Sequence, residues 1–278
     1  MKKYILFFSA FLAVGFLNAQ SFSGEATYQS ATTVDFKMDS TRMSVEQYEN
    51  IKKRMASALQ KEFTLIFNKQ ASLFSEVEKL EEDGPGGGRM KAGISMMSGT
   101  GGLVYKNIAE SQLKEQIEFF GKQFLIEDQL EDFGWKLGKE TKMVGSYTCY
   151  KATAKRQVVN RTMKSSDKGG STTDTAYVDV VAWYTPQIPV SQGPDIYSGL
   201  PGFIMEVNFK NTTILCTKIV LNKDKEVKID VPKKGEVVTR DEYTAQILKK
   251  MEEMEAMYGG QQGRGGRKRP NFSIQISR

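Results

Sequence analysis

Most of this chain is built from short runs in which apolar and polar residues alternate, parted by turn residues. "FSGEATYQSATTVDFKM", from Phe22 to Met38, reads as one long or two short strands. "FTLIFNKQASLFSEVEKL" returns to strand character and breaks at Asn68-Lys69-Gln70, which predicts a hairpin. Strand signals resume at "LVYKNI" and continue through "KQFLIED", "GWKLGKETKMV", "YTCYKATAKRQVV" and "AYVDVVAWYT", with a long loop around Gly169-Gly170. "FIMEVNFK" and "ILCTKIVLN", parted by Asn211-Thr212-Thr213, predict the clearest hairpin, and "EVKIDVPK" predicts one more short strand ended by Pro232. "NFSIQISR" alternates Phe272, Ile274 and Ile276 and is a candidate last strand. Strand centres fall roughly 10 to 20 residues apart, the spacing of antiparallel sheets and not of βα units.

Two segments switch to helical period. Ser44 to Gln47 offers a capping box, and Tyr48, Ile51, Met55 and Leu59 recur on one face, so a helix is predicted over 45–60. Thr239 and Glu242 offer a second capping box, followed by Tyr243, Ile247, Leu248, Met251, Met254 and Met257. Residues 82–102 hold eight glycines and a proline without periodicity, which predicts a flexible loop. That loop has no GxxxxGK[ST] arrangement and no helix after it, so it does not read as a phosphate cradle.

The N-terminus changes the picture from a β domain to an exported one. Lys2 and Lys3 precede an apolar run of about 14 residues, and Asn18-Ala19-Gln20 closes it, the layout of a signal peptide cleaved after Ala19. The run is shorter than a membrane span, and no later segment is apolar enough to be one. No cysteine stands at the cleavage point, so lipoprotein acylation there is excluded. Three regions follow: a signal peptide over 1–19, a β-rich domain over 20–258, and a basic Gly/Arg-rich tail over 259–278.

Loss of the leader takes two of the 39 basic residues and none of the 33 acidic ones, leaving 37 − 33 = +4. Much of this excess sits in Arg264, Arg267, Lys268, Arg269 and Arg278. A nucleic-acid reader needs a basic face and a recognition module, and no such module is present.

The chain contains no histidine, which removes the Ser-His-Asp and Cys-His nucleophile systems and the commonest zinc ligand. Catalysis without imidazole would fall to paired carboxylates, as in glycoside hydrolysis. Glu131, Asp132 and Asp179 lie near Trp135 and Trp183, aromatic surfaces on which sugars stack, but no spacing ties any two of these carboxylates together. Methionines at 90, 96 and 97 in the glycine loop are soft ligands suited to Cu(I), while those at 251, 254 and 257 read as a packing stripe. Cys149 and Cys216 lie in strand-like segments of an exported chain, where either a disulfide or two buried thiols fit. No cofactor is expected.

"GPDIYSGLPGFIMEV" places Pro201 and Gly202 at the centre of a predicted type II turn, with Gly199 and Leu200 leading into it. From there Phe203, Met205, Val207 and Phe209 alternate with Ile204, Glu206, Asn208 and Lys210, a half-buried strand. With "AWYTPQIPVSQ", "GSYTCYKATA", "LIFNKQASLF" and "WKLGKETKMV", this stretch resembles the GLPGLI family of exported Bacteroidota proteins, with Phe203 where the family name has leucine. The resemblance supplies no catalytic residues. It implies a periplasmic or outer-membrane-associated protein accompanying transport systems of that membrane.

The expected fold is mainly β: an antiparallel curved sheet or open half-barrel with both helices packed across its concave side, similar to periplasmic lipoprotein carriers. The expected role is non-catalytic binding of an apolar or peptide ligand, or of a partner such as an outer-membrane transporter. A carboxylate hydrolase of glycans or peptides and methionine-based copper handling are the alternatives.

Overall fold

The computed structural model describes residues 22–33, 44–46, 49–50, 59–77, 102–164, 170–222, 227–259 and 272–277. The leader over 1–19, most of the 82–102 loop with Met90, Met96 and Met97, and the greater part of the tail lie outside the described residues. Of the helix expected over 45–60, only 45–46 and 49–50 are described, and these are helical.

The chain is mainly β and forms one open, curved sheet. The strands are β1 (Ser23–Thr32), β2 (Lys61–Phe67), β3 (Ala71–Glu76), β4 (Leu103–Asn107), β5 (Gln112–Phe119), β6 (Lys122–Gln129), β7 (Lys136–Val144), β8 (Tyr147–Lys164), β9 (Gly170–Thr185), β10 (Phe203–Phe209), β11 (Thr212–Asn222), β12 (Glu236–Val238) and β13 (Phe272–Ser277). Their order is β12-β6-β5-β4-β3-β2-β1-β11-β10-β9-β8-β13, and β7 also pairs with β8. Every pair is antiparallel except β12 on β6.

Turn chemistry sets the hairpins. The Asn68 side chain accepts from the amides of Gln70 (2.9 Å) and Ala71 (2.7 Å), closing the β2–β3 turn as an Asx turn. Phe120 and Gly121 both take positive φ between β5 and β6, the two-residue loop that suits the twist of a hairpin. Lys210, also at positive φ, opens the β10–β11 turn.

Thr239 begins the helix α1 (Arg240–Gly259) through the predicted capping box: its amide donates to Glu242 Oε2 at 2.8 Å, and the Glu242 amide donates to Thr239 Oγ1 at 3.2 Å. The helix does not cross the concave face. Its Tyr243 and Ile247 pack on Phe124 and Ile126 of β6 and Val238 of β12, at one edge of the sheet. Among the described residues, no helix is long and apolar enough to cross a membrane.

The apolar face of the sheet is covered instead by the irregular segment 186–202, which supplies the second layer that a one-sheet core requires. Ile188 and Val190 pack with Tyr28, Leu65, Phe67, Phe74 and Phe203. Ile196, Tyr197 and Leu200 pack with Ala152, Ala154, Val180 and Ala182, small residues that let the segment approach the sheet.

Three expectations need correction. Residues 227–234, with "VKIDVPK" in them, form no strand, and the pairing passes to β12 just beyond. The Pro201–Gly202 turn is not type II, because Gly202 takes φ 154° and its amide donates to Leu200 O at 2.8 Å, a three-residue turn centred on Pro201. The alternation along β10 fails where its register with β9 slips between Ile204 and Glu206, so that Phe203, Ile204 and Met205 are all buried.

Candidate functional site

The irregular segment carries polar chemistry into the sheet. Lys106 on β4 has no exposed surface, and its Nζ donates to the carbonyls of Gly193 (2.6 Å) and Tyr197 (2.9 Å). It thereby pins both ends of the 193–197 turn. Burial pulls its pKa down to about 7, and the nearby Asp195 carboxylate opposes that shift.

Glu115 on β5 lies on the same face and is also buried, and burial raises its pKa. Arg240, the first residue of α1, pairs with Glu115, and Asp195 and Arg156 also act on it electrostatically. Arg156, buried on β8, donates its Nε to Glu131 Oε2 at 3.2 Å and hydrogen-bonds Tyr197. Burial raises the pKa of the Tyr197 hydroxyl. Side chains from β4, β5, β8, α1 and the 193–197 turn thus meet at one place.

An aromatic ladder borders this cluster. Trp135 leans on Phe133 with ring centroids 5.2 Å apart and a 30° tilt, and Phe133 leans on Tyr197 at 5.2 Å and 35°. The indole N–H of Trp135 donates to Ser198 O at 2.9 Å, tying the 131–135 stretch to the GLPG segment. The Gly134 amide donates to Asp132 Oδ1 at 3.0 Å and shapes the bend between them. Asp195 is half-buried with φ 51°, and among the described residues no hydrogen bond or ion pair closes on its carboxylate.

Two buried side chains are unsatisfied among the described residues: Gln192, within the segment, has neither amide atom hydrogen-bonded, and Ser72 Oγ, opposite Lys106 across β3 and β4, has no partner.

The residues singled out in the sequence therefore separate. Glu131, Asp132 and Trp135 join the cluster, whereas Asp179 lies exposed opposite Lys155 on β8 and Trp183 sits under the Lys142 ammonium, 4.5 Å from its ring centroid. Gly199, Leu200, Pro201 and Gly202 build the segment; Leu200 is buried, and a Cβ on Gly202 would meet Thr185 O at 2.3 Å.

Cys149 and Cys216 are free, buried thiols in one apolar cluster, so the bridge considered from sequence is not formed. Among the described residues no three His, Cys, Asp or Glu side chains are grouped to hold a metal ion.

Lys106, Glu115, Arg156 and Asp195 were not legible as a site. Lys106 stands in "LVYKNI" at an inward position, and that lone charge in an apolar alternation is the one local signal that marked it.

A family model described as "Protein of unknown function (Porph_ging)" matches residues 135–206, from Trp135 through most of β10. No curated protein matches the chain. Two solved structures of PNGF-II, in space groups C2 and P21, are similar, each with 13% identity and a TM-score of 0.46. The likeness covers 82% and 83% of this chain but 33% and 34% of those, so this chain spans about a third of their length.

Proposed function

We propose that this protein is a non-catalytic exported envelope protein of the GLPGLI kind, acting as an accessory partner of an outer-membrane transport system. The observation that carries the reading is that the protein fills its own hollow. Where a half-barrel carrier would keep an apolar groove, Ile188, Val190, Tyr197 and Leu200 of the 186–202 segment are buried at 2% exposure or less. Recognition of a partner then falls to the outer surface, not to an apolar molecule held inside.

The charged cluster supports the non-catalytic half of the reading. Glu115 is engaged by Arg240 and Glu131 by Arg156, so two carboxylates of the cluster are held in ion pairs. The leader over 1–19 supports export, and a periplasmic or outer-membrane-associated location follows from the same proposal.

A hydrolase remains the second reading, favoured by one observation: Glu115, with its raised pKa, lies within electrostatic reach of Asp195.

Affinity purification of the mature protein from detergent-solubilised outer membranes, followed by mass spectrometry, tests the first reading. A transport component is expected at near-stoichiometric yield. Recovery of the protein alone would overturn the partner role.

A further inference from the structure

We propose that the rim formed by residues 131–135 and 195–197 is a binding site for a neutral saccharide ring. Trp135 is half-buried, and its plane is fixed by the hydrogen bond to Ser198 O at 2.9 Å and by contact with Phe133, itself backed by Tyr197. A fixed and partly open aromatic surface suits the C–H face of a sugar, because no ring motion must be frozen on binding.

Two residues before Tyr197 stands Asp195, half-buried, whose carboxylate acts on Lys106 electrostatically and closes no hydrogen bond or ion pair among the described residues. Vicinal hydroxyls offer two donors at the spacing a carboxylate accepts. Asp195 takes φ 51°, which an aspartate tolerates better than most residues, and the turn that holds it is pinned on both sides by Lys106.

Charge balance selects a neutral ligand. Arg240 is paired with Glu115 and Arg156 with Glu131, while Lys106 lies within electrostatic reach of Asp195. The rim therefore draws neither a polyanion nor a polycation. A basic peptide is the competing occupant of an aromatic wall with one open carboxylate, and the same variants distinguish it. The site is independent of the transport partner, so failure to capture such a partner leaves it untouched.

The mature protein and its Asp195→Asn and Asp195→Gly variants would be applied, fluorescently labelled, to a glycan microarray that also carries lysine- and arginine-containing peptides. Asparagine and glycine both accept positive φ, so both variants keep the turn, and unchanged melting temperatures confirm it. The wild type is expected to bind a subset of neutral glycans. Asp195→Gly should lose roughly tenfold or more in affinity, and Asp195→Asn, which retains one acceptor oxygen, roughly threefold. No glycan bound by the wild type, glycan binding unchanged in Asp195→Gly, or binding confined to the basic peptides would each overturn the proposal.

Discussion

Lys106 is the residue at which burial and charge conflict most directly. A lysine in the unfolded chain titrates near 10.4, whereas burial brings Lys106 to about 7 in the folded protein. Between those values the unfolded state binds more protons than the folded one, so stability rises with pH by up to about 1.4 kcal/mol per unit. The two thiols act in the opposite sense. Burial raises Cys149 to about 11 and Cys216 to about 12 from an ordinary thiol value of 9.0, so their contribution is present below pH 9 and is lost above it. Urea unfolding at pH 6 to 11 should therefore show stability climbing from pH 7 and turning over near pH 9. Lys106→Met should flatten the climb while leaving the fall above pH 9, and a rising limb that survives in that variant would refute the assignment. The sequence marks Lys106 only as a lone charge at an inward position of "LVYKNI" and says nothing of what satisfies it. Its burial arises only because a segment some ninety positions later folds over it and offers two carbonyls.

At the scale of elements, periodicity located most strands and the Thr239–Glu242 capping box, and its failures share a cause. β5, "QLKEQIEF", was not anticipated because Lys114, Glu115 and Glu118 interrupt its apolar positions. Those charges are satisfied by neighbours that the topology brings in, Lys114 by Glu127 across β6 and Glu115 by Arg240. The reverse error, a strand expected near residues 227–234, arose because alternation supplies a face but not a free edge to join. The GLPG segment shows the same limit. Its proline and glycine announce a turn, but which turn is fixed by a long-range contact: the Phe203 amide donates to Ile188 O at 3.0 Å and presses Gly202 against Thr185. A Gly202→Ala substitution would place a methyl group 2.3 Å from Thr185 O at φ 154°. It should destabilise by more than about 3 kcal/mol, at the severe end for a single change. Gly199→Ala is the informative control, since φ is positive there too at 87° but nothing lies within 4 Å of the added carbon. It should cost only about 1 kcal/mol, as strain without collision. Equal losses in the two variants would show that φ, and not the close approach to Thr185, sets the requirement for glycine at 202.

At the scale of the whole molecule, register divides the sheet into a body and an arm. β10 pairs with β9 only from Val180 onward, so residues 170–179 have β8 as their one neighbouring strand among the described residues. On its other side, β8 is shared: β7 takes residues 147–153 and β13 takes 158–163. β13 therefore completes the arm by backbone pairing with β8, while the three buried clusters of described residues draw on the body. Edge strands differ in how they resist pairing with other chains. β7 carries Lys136, Lys139, Glu140 and Lys142 and a slip in register after Leu137, the usual protections, whereas β13, "FSIQIS", has no charge and no proline. A chain ending at Gly259 replaces that bare edge by the β8 edge, which carries Arg161 and Lys164. Its melting temperature should stay within about 2 °C of the full chain if the arm is a separate unit, because the pairing removed lies away from the strands that build the three described clusters. Amides of 158–163 should lose hydrogen-exchange protection while those of β1, β2 and β10 keep theirs. Self-association at high concentration, followed by light scattering, should fall. A drop in melting temperature well beyond 5 °C would mean that the tail belongs to the body and that the arm is not a separate unit of stability.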